Sequence, residues 1–222
     1  MLRAVRRRWD AYKYRFVPWL ALNLRRKRRT LRYVPKSSQD KIISDEDVFE
    51  TLLKIFKALF INDFSRQAHI LALLPEIKCT VYRKHEPIFF QSLGNPFIFR
   101  CIDGVLIDGN DKGLSRSVYR SCSRRDQLGP FQMSDESWLT AALQNPLAVG
   151  QYVNNCSHEK AANVCYQEFD VPAYFPVELK QYLPNIVYSH DIESHPRCVV
   201  LVTLRDIKQG EELFSNYYTV VS

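Results

Sequence analysis

The spacing of apolar residues changes at Pro75, and this change narrows the folds open to the chain. Upstream of Pro75, apolar residues recur at three- and four-residue intervals, the spacing of one helix face. Downstream, they occur in short runs bounded by turn residues, which is typical of β-strands. A helical segment followed by many short strands predicts an α+β fold. The absence of a regular strand–helix alternation argues against a Rossmann fold.

Two helices are predicted before Pro75. Ser44 lies three residues before Asp47, a spacing at which its hydroxyl can cap a helix N-terminus. An apolar stripe follows, formed by Val48, Leu52, Ile55, Phe56, Leu59 and Phe60. A second helical pattern occupies residues 64–74. We interpret residues 41–76 as a helical hairpin that buries this stripe against another part of the protein.

Strand-like runs follow in the second part of the chain, at residues 87–90, 97–101, 105–108, 164–169 and 198–204. Turn sequences such as Asp103-Gly104 separate them. One further helix is predicted over residues 134–143, with Ser134 as its cap. Residues 81–222 are therefore expected to form one mainly β domain.

The positive charge is concentrated at one end of the chain. The formal net charge is +7, yet residues 1–35 hold ten Arg and two Lys against Asp10 alone. Residues 1–40 are thus predicted to be a basic arm, and residues 36–222 are mildly acidic. Residues 1–35 also interleave aromatic side chains, which suits contact with nucleic acid or chromatin. A nuclear signal, a mitochondrial presequence or a solvated tail would have a similar composition.

Cysteine spacing and hydropathy favour a soluble intracellular protein. The six cysteines include no C-x-x-C pair, so neither a zinc site nor a redox pair is predicted. No apolar run approaches the roughly 18 residues of a membrane span, and no signal-peptide core is present. We expect a nuclear or cytoplasmic location, with mitochondria as the alternative and no membrane partner.

Two motifs carry the candidate chemistry. Residues 151–157 read Gln-Tyr-Val-Asn-Asn-Cys-Ser, with Asn163 shortly after. Residues 210–217 read Gly-Glu-Glu-Leu-Phe-Ser-Asn-Tyr. Adjacent carboxamides can bind a heterocycle edge or stabilise a buried turn. The tyrosine at the end of such a strand can be part of a functional site, or it can only pack against neighbouring side chains.

Together, the two motifs resemble the signatures of the SET-domain protein-lysine methyltransferases. A closer resemblance to one member also includes residues 14–19, the hairpin and residues 87–222. The resemblance implies a SET-like domain with a pseudoknot, S-adenosylmethionine as cofactor and a protein lysine as substrate. It assigns Asn154 and Asn155 to the adenosyl part of the cofactor. Tyr217 is assigned both to the cofactor and to catalysis beside the transferred methyl group.

The chain departs from the family pattern upstream of these motifs. Family members begin the domain with a G-x-G loop and a Y-x-G segment, whereas the first glycine here is Gly94. The N-terminal half of the SET domain is therefore expected to be absent, as in a shortened splice form. The alternative to an enzyme is then a catalytically inactive form that acts as a binding or interaction protein.

Overall fold

The structure, a computed structural model, describes residues 12–13, 32–62, 91, 93–123, 127–142, 144–184, 196–217 and 219–221. Two α-helices of four residues or more lie within these segments, α1 (Asp45–Asn62) and α2 (Gly113–Cys122). The strands are β1 (Tyr12–Lys13), β2 (Arg32–Val34), β3 (Ile98–Arg100), β4 (Leu106–Asp108), β5 (Gln127–Leu128), β6 (Phe131–Gln132), β7 (Asn154–Asn155), β8 (Val164–Asp170), β9 (Arg197–Thr203), β10 (Phe214–Ser215) and β11 (Thr219–Val221). The two helices and many short strands agree with the predicted α+β class. The pseudoknot remains a prediction.

Helix α1 confirms the first helix predicted from the sequence. The Ser44 hydroxyl oxygen accepts the backbone N–H of Asp47 at 3.1 Å and donates to its carboxylate at 2.8 Å. Three acidic residues occupy the first turn, where the positive end of the helix dipole favours them. The second helix of the predicted hairpin lies outside the described residues, as does the predicted strand 87–90.

The apolar face of α1 forms the main core with the segment that follows β8. The Phe56 ring lies 5.5 Å from the Tyr182 ring and 6.2 Å from the Phe175 ring, measured between centroids. The buried residues of this core are Val48, Phe56, Phe169, Val171, Phe175, Leu179, Tyr182, Leu183 and Cys198. Residues more than 100 positions apart thus bury each other, so α1 is an integral part of the domain.

A buried glutamine attaches the start of α1 to the sheet. Gln167 on β8 is fully buried, and its side-chain oxygen accepts the N–H groups of Ile42 and Ile43 at 2.7 and 3.2 Å. Its side-chain nitrogen donates to the Ile43 carbonyl at 2.9 Å. Nearby, a guanidinium nitrogen of Arg32 lies 2.5 Å from the buried Asp40 carboxylate. Residues 32–43 are therefore held by polar contacts as well as apolar ones.

The strands form small sheets that join distant parts of the chain. Strands β8 and β9 are antiparallel, with Val164 opposite Thr203 and Asp170 opposite Arg197. In a second sheet, β11 lies between β1, to which it is antiparallel, and β2, to which it is parallel. Two short segments of the predicted basic arm thus pair with the last described strand. No helix in the described segments has both the length and the apolar character needed to cross a membrane.

Two local predictions differ from the structure. The prediction of a helix over residues 134–143 was wrong: in the described part of this range, 134–142, the helical turn is a 3-10 turn, Ser137–Leu139. The buried Asp135 carboxylate accepts both the N–H and the hydroxyl of Ser137, at 2.8 and 2.5 Å, and this local bonding competes with a longer helix. Helix α2 was not predicted, because one of its three buried residues is the polar Ser115.

We expect Gln167→Leu to lower the free energy of unfolding by about 2–3 kcal/mol, because it leaves the N–H groups of residues 42 and 43 without their acceptor. Urea denaturation followed by circular dichroism measures this change. Gln127→Leu, at an exposed position on β5, is the matched control and should shift stability by less than about 0.5 kcal/mol. Equal effects of the two substitutions would contradict a special role for Gln167.

Candidate functional site

The two sequence motifs lie side by side in the structure. Strand β7 from the first motif pairs in parallel with β10 from the second, with Phe214 opposite Asn154 and Ser215 opposite Asn155. A parallel pair needs a long connection, and here roughly 60 residues separate the strands along the chain. The pairing brings three predicted site residues, Asn154, Asn155 and Tyr217, into one region.

Tyr217 is hydrogen-bonded to the first motif through both its backbone and its side chain. Its backbone N–H donates to the Asn155 side-chain oxygen at 3.0 Å. Its hydroxyl donates to the Val153 carbonyl. Its ring lies 6.5 Å from that of Tyr166, whose own hydroxyl donates to the Gly150 carbonyl at 2.8 Å. The phenol is therefore held in one orientation in a half-buried, aromatic setting.

Asn154 is exposed and bonded to the second motif. Its amide donates to Glu212 at 2.7 Å, and the Lys160 ammonium lies 3.2 Å from the same carboxylate. The hydrogen bond from Asn154, together with Lys160, holds the pKa of Glu212 below its usual value. The Lys160 ammonium also lies 4.8 Å from the centre of the half-buried Phe214 ring.

Asn163, which was part of the motif but not a predicted site residue, organises the second motif. It is almost fully buried, and its side-chain amide donates to Glu211 at 3.1 Å and to the Glu212 carbonyl at 2.9 Å. Its side-chain oxygen accepts the Phe214 N–H at 2.8 Å. The position of Asn163 after the first motif was the only sequence signal of this role, since its partners lie about 50 residues away.

The segment before β10 is stabilised by an exposed ion pair. Arg205 donates to both oxygens of Glu211, at 3.1 Å for one of them. The bonds from Arg205, the Lys208 N–H and Asn163 lower the pKa of Glu211 to about 2. Glu211 is therefore ionised over the whole physiological range.

Tyr152 belongs to the first motif and lies just before β7. It is about half exposed, at 48%, and its hydroxyl donates to Asp111, which raises the pKa of Tyr152. Its ring packs edge-on against Phe97 at 6.3 Å. Beside it, a Cβ atom added to Gly109 would lie 3.1 Å from the Gln151 Cβ, so glycine permits the close approach of that loop.

One cluster has the residue types of a metal site. Ligand atoms of Cys101, Asp103 and Glu168 lie within 4.8 Å of one another. The Arg197 guanidinium lies among them, at 2.7 Å from Asp103 and 3.5 Å from Glu168, so a cation already balances these carboxylates. Burial raises the pKa of Cys101 well above the usual range, which disfavours the thiolate that binds metals. The prediction that no metal is bound remains a prediction.

Arg205→Gln should raise the pKa of Glu211 towards its ordinary value of 4.5, because the largest cause of its depression is removed. A lowered pKa in the folded state stabilises the protein above the unfolded pKa. In the parent protein this contribution is therefore lost as pH falls from about 4.5 to about 2. Carboxyl-detected NMR titration measures the shift, and Glu212 in the same spectra is the internal control. An unchanged Glu211 titration would contradict the assigned ion pair.

Comparison with known proteins identifies two similar relatives. The chain is 55% identical to human "SET domain-containing protein 9" over 295 residues, covering 100% of this chain and 99% of that protein. It is 54% identical to the Pongo abelii protein of the same name over 266 residues, covering 87% of this chain and 97% of that protein. The human comparison spans 295 positions and this chain has 222 residues, so at least 73 positions have no counterpart residue here. No protein-family model and no solved structure matches the chain.

Proposed function

Because the chain belongs to the SET domain-containing protein 9 family, we propose that it carries the catalytic end of an S-adenosylmethionine-dependent protein-lysine N-methyltransferase. The observation that supports this most directly is the double attachment of Tyr217, through Asn155 and Val153, beside β7. Tyr217 is the proposed catalytic residue.

The hydroxyl of Tyr217 is oriented for one kind of contact. Its single proton is donated to the Val153 carbonyl, so towards a substrate the oxygen offers lone pairs. It can therefore accept an N–H from an incoming amine. A fixed acceptor contributes to rate by holding the amine in line for attack, because alignment removes entropy that the reaction would otherwise have to lose.

S-adenosylmethionine, when bound, supplies a methyl group on a positively charged sulfur. Transfer would form the N–C bond with the nitrogen lone pair while the C–S electron pair stayed on the sulfur, so the lysine amine would have to be neutral. A free lysine has a pKa near 10.4 and is mostly protonated at neutral pH. An amine held beside the half-buried Tyr217 and Tyr166 rings would be favoured in its neutral form, because burial disfavours the charged form.

The described residues fit the cofactor only in part. The side chains of Asn154 and Asn155 are bonded to Glu212 and Tyr217, and the Asn154 N–H donates to the Leu213 carbonyl. The main chain of Asn155 is therefore the adenosyl contact that we propose here. The nearby cations are also engaged, Lys160 with Glu212 and Arg205 with Glu211. These contacts support the proposal that the described residues form the part of the site where the methyl group is transferred. They do not support a complete cofactor site among the described residues.

A catalytically inactive form that acts by binding is the second candidate. It is favoured by the late first glycine, Gly94, and by the 73 or more positions of the human relative without a counterpart. We propose that these positions include the glycine-rich cofactor loop of the family. Losing three or four hydrogen bonds of roughly 1 kcal/mol each would weaken cofactor binding by about several hundredfold.

For a catalytic role, Tyr217→Phe should lower methyl transfer about tenfold or more, since one hydrogen bond to the reacting amine is lost. The assay uses tritiated S-adenosylmethionine with lysine-containing peptides, and Tyr174→Phe, at an exposed position, is the control. Unchanged turnover would remove Tyr217 from the mechanism. Calorimetry separates the two candidates: a low-micromolar dissociation constant for S-adenosylmethionine supports the enzyme, and no detectable binding supports the inactive form.

The basic arm is proposed to contact nucleic acid or chromatin in the nucleus, with cytoplasmic and mitochondrial locations as alternatives. Deleting residues 1–35 would also remove β1 and β2, so substitution is the cleaner test. Replacing the five basic residues at 25–29 with Gln should weaken binding to duplex DNA and flatten its dependence on salt. Replacing the exposed Lys54 and Lys57 of α1 is the control. Equal binding by the two variants would contradict this role of the arm.

A further inference from the structure

We propose that Asn155 is a positioning residue whose side-chain oxygen holds the backbone of Tyr217 and thereby sets the place of the Tyr217 hydroxyl. The inference rests on the proposed catalytic role of Tyr217 and deepens it. It assigns the Asn155 side chain to a contact within the protein, with Tyr217, rather than to a contact with the cofactor.

The bond from Asn155 continues a hydrogen-bond ladder beyond the end of the strand pair. The Asn154 N–H donates to the Leu213 carbonyl at 3.2 Å, and the Cys156 N–H donates to the Ser215 carbonyl at 2.9 Å. Strand β10 then ends, and the next bond runs from the Tyr217 N–H to the Asn155 side chain at 3.0 Å. A side-chain carbonyl thus takes the place that a backbone carbonyl occupies in a longer strand pair.

A second asparagine side chain accepts a backbone N–H on the other side of β10. The Asn163 side-chain oxygen accepts the Phe214 N–H at 2.8 Å, while the Asn163 N–H donates to the Phe214 carbonyl at 2.9 Å. Asn163 is almost fully buried and bonded to several groups, whereas Asn155 is partly exposed. Substituting Asn155 is therefore a milder change than substituting Asn163. The hydrogen bond described for the Asn155 side chain is the one with Tyr217, so the substitution is directed at that bond.

Both ends of Tyr217 depend on the same short stretch of chain. The hydroxyl is bonded to Val153, which is buried, and the backbone is bonded to Asn155 two residues later. If the bond to Asn155 is lost, the backbone at residue 217 gains freedom while its hydroxyl remains close to Val153. A small displacement of a catalytic group can lower a rate by about a hundredfold.

Position 155 requires a side-chain oxygen that accepts a hydrogen bond and lies as far from the backbone as the amide oxygen of asparagine. Asn155→Asp keeps this acceptor, because a carboxylate oxygen accepts an N–H at least as well. Asn155→Ala removes it. Comparing the two substitutions therefore isolates the bond to Tyr217 from the other effects of changing this residue.

Hydrogen exchange at the Tyr217 amide tests the bond without requiring activity. The amide is observed in protein labelled with ¹⁵N-tyrosine and is assigned by its loss in Tyr217→Phe. We expect Asn155→Ala to speed exchange about tenfold or more and Asn155→Asp to leave it within about twofold of the parent protein. Asn154→Ala, which removes the bond to Glu212 instead, is the control and should leave this amide protected. Equal exchange in the parent protein and in Asn155→Ala would overturn the proposal.

Kinetics then separate positioning from cofactor binding. Asn155→Ala should lower kcat about tenfold or more, with the dissociation constant of S-adenosylmethionine changed less than about twofold, and Asn155→Asp should restore most of the kcat. A weaker dissociation constant with unchanged kcat would make Asn155 a cofactor contact and overturn the proposal. If the parent protein transfers no methyl group, the proposed function fails, and amide exchange alone decides whether Asn155 holds Tyr217.

Discussion

The hydrogen bonds that residues 213–217 and 219–221 make with remote parts of the chain are the constraint on which the candidate site depends. Strands β10 and β11 are too short to be stable alone, so their backbone groups bond to β7, Asn163, β1 and β2. Tyr217 lies between these two strands in sequence, and both neighbours limit its position. The site is therefore a consequence of how residues 213–217 and 219–221 are attached, since the strands that carry its described residues, β7 and β10, have two residues each.

Several charged side chains among the described residues form ion pairs. Before β10, Glu211 pairs with Arg205 and Glu212 pairs with Lys160. At the start of β9, Arg197 pairs with the carboxylate of Asp170. The exposed pairs contribute little to stability, because water and salt screen them. Their effect is local: they keep residues 205–212 in place before β10, where the backbone turns into the site.

Local patterns predicted the elements that bury one regular face. Helix α1 and strand β8 were expected close to their observed bounds, because burial repeats there with the period of the element. Helix α2 was not predicted, since its buried face includes Ser115, and the helix expected over 134–143 was prevented by the bonds between Asp135 and Ser137. Polar side chains that bond locally or become buried do not follow apolar periodicity.

The sequence by itself determined the α+β class, helix α1 with its apolar stripe, and the two motifs that resemble signatures of the family. Only the tertiary structure decided that Asn155 faces Tyr217, that Asn154 faces Glu212, and that β11 lies between β1 and β2. The spacing of apolar residues reflects which side chains are buried, and each apolar side chain favours burial whatever its partner is. A hydrogen-bond partner more than 50 residues away is selected only when packing has brought the two segments together.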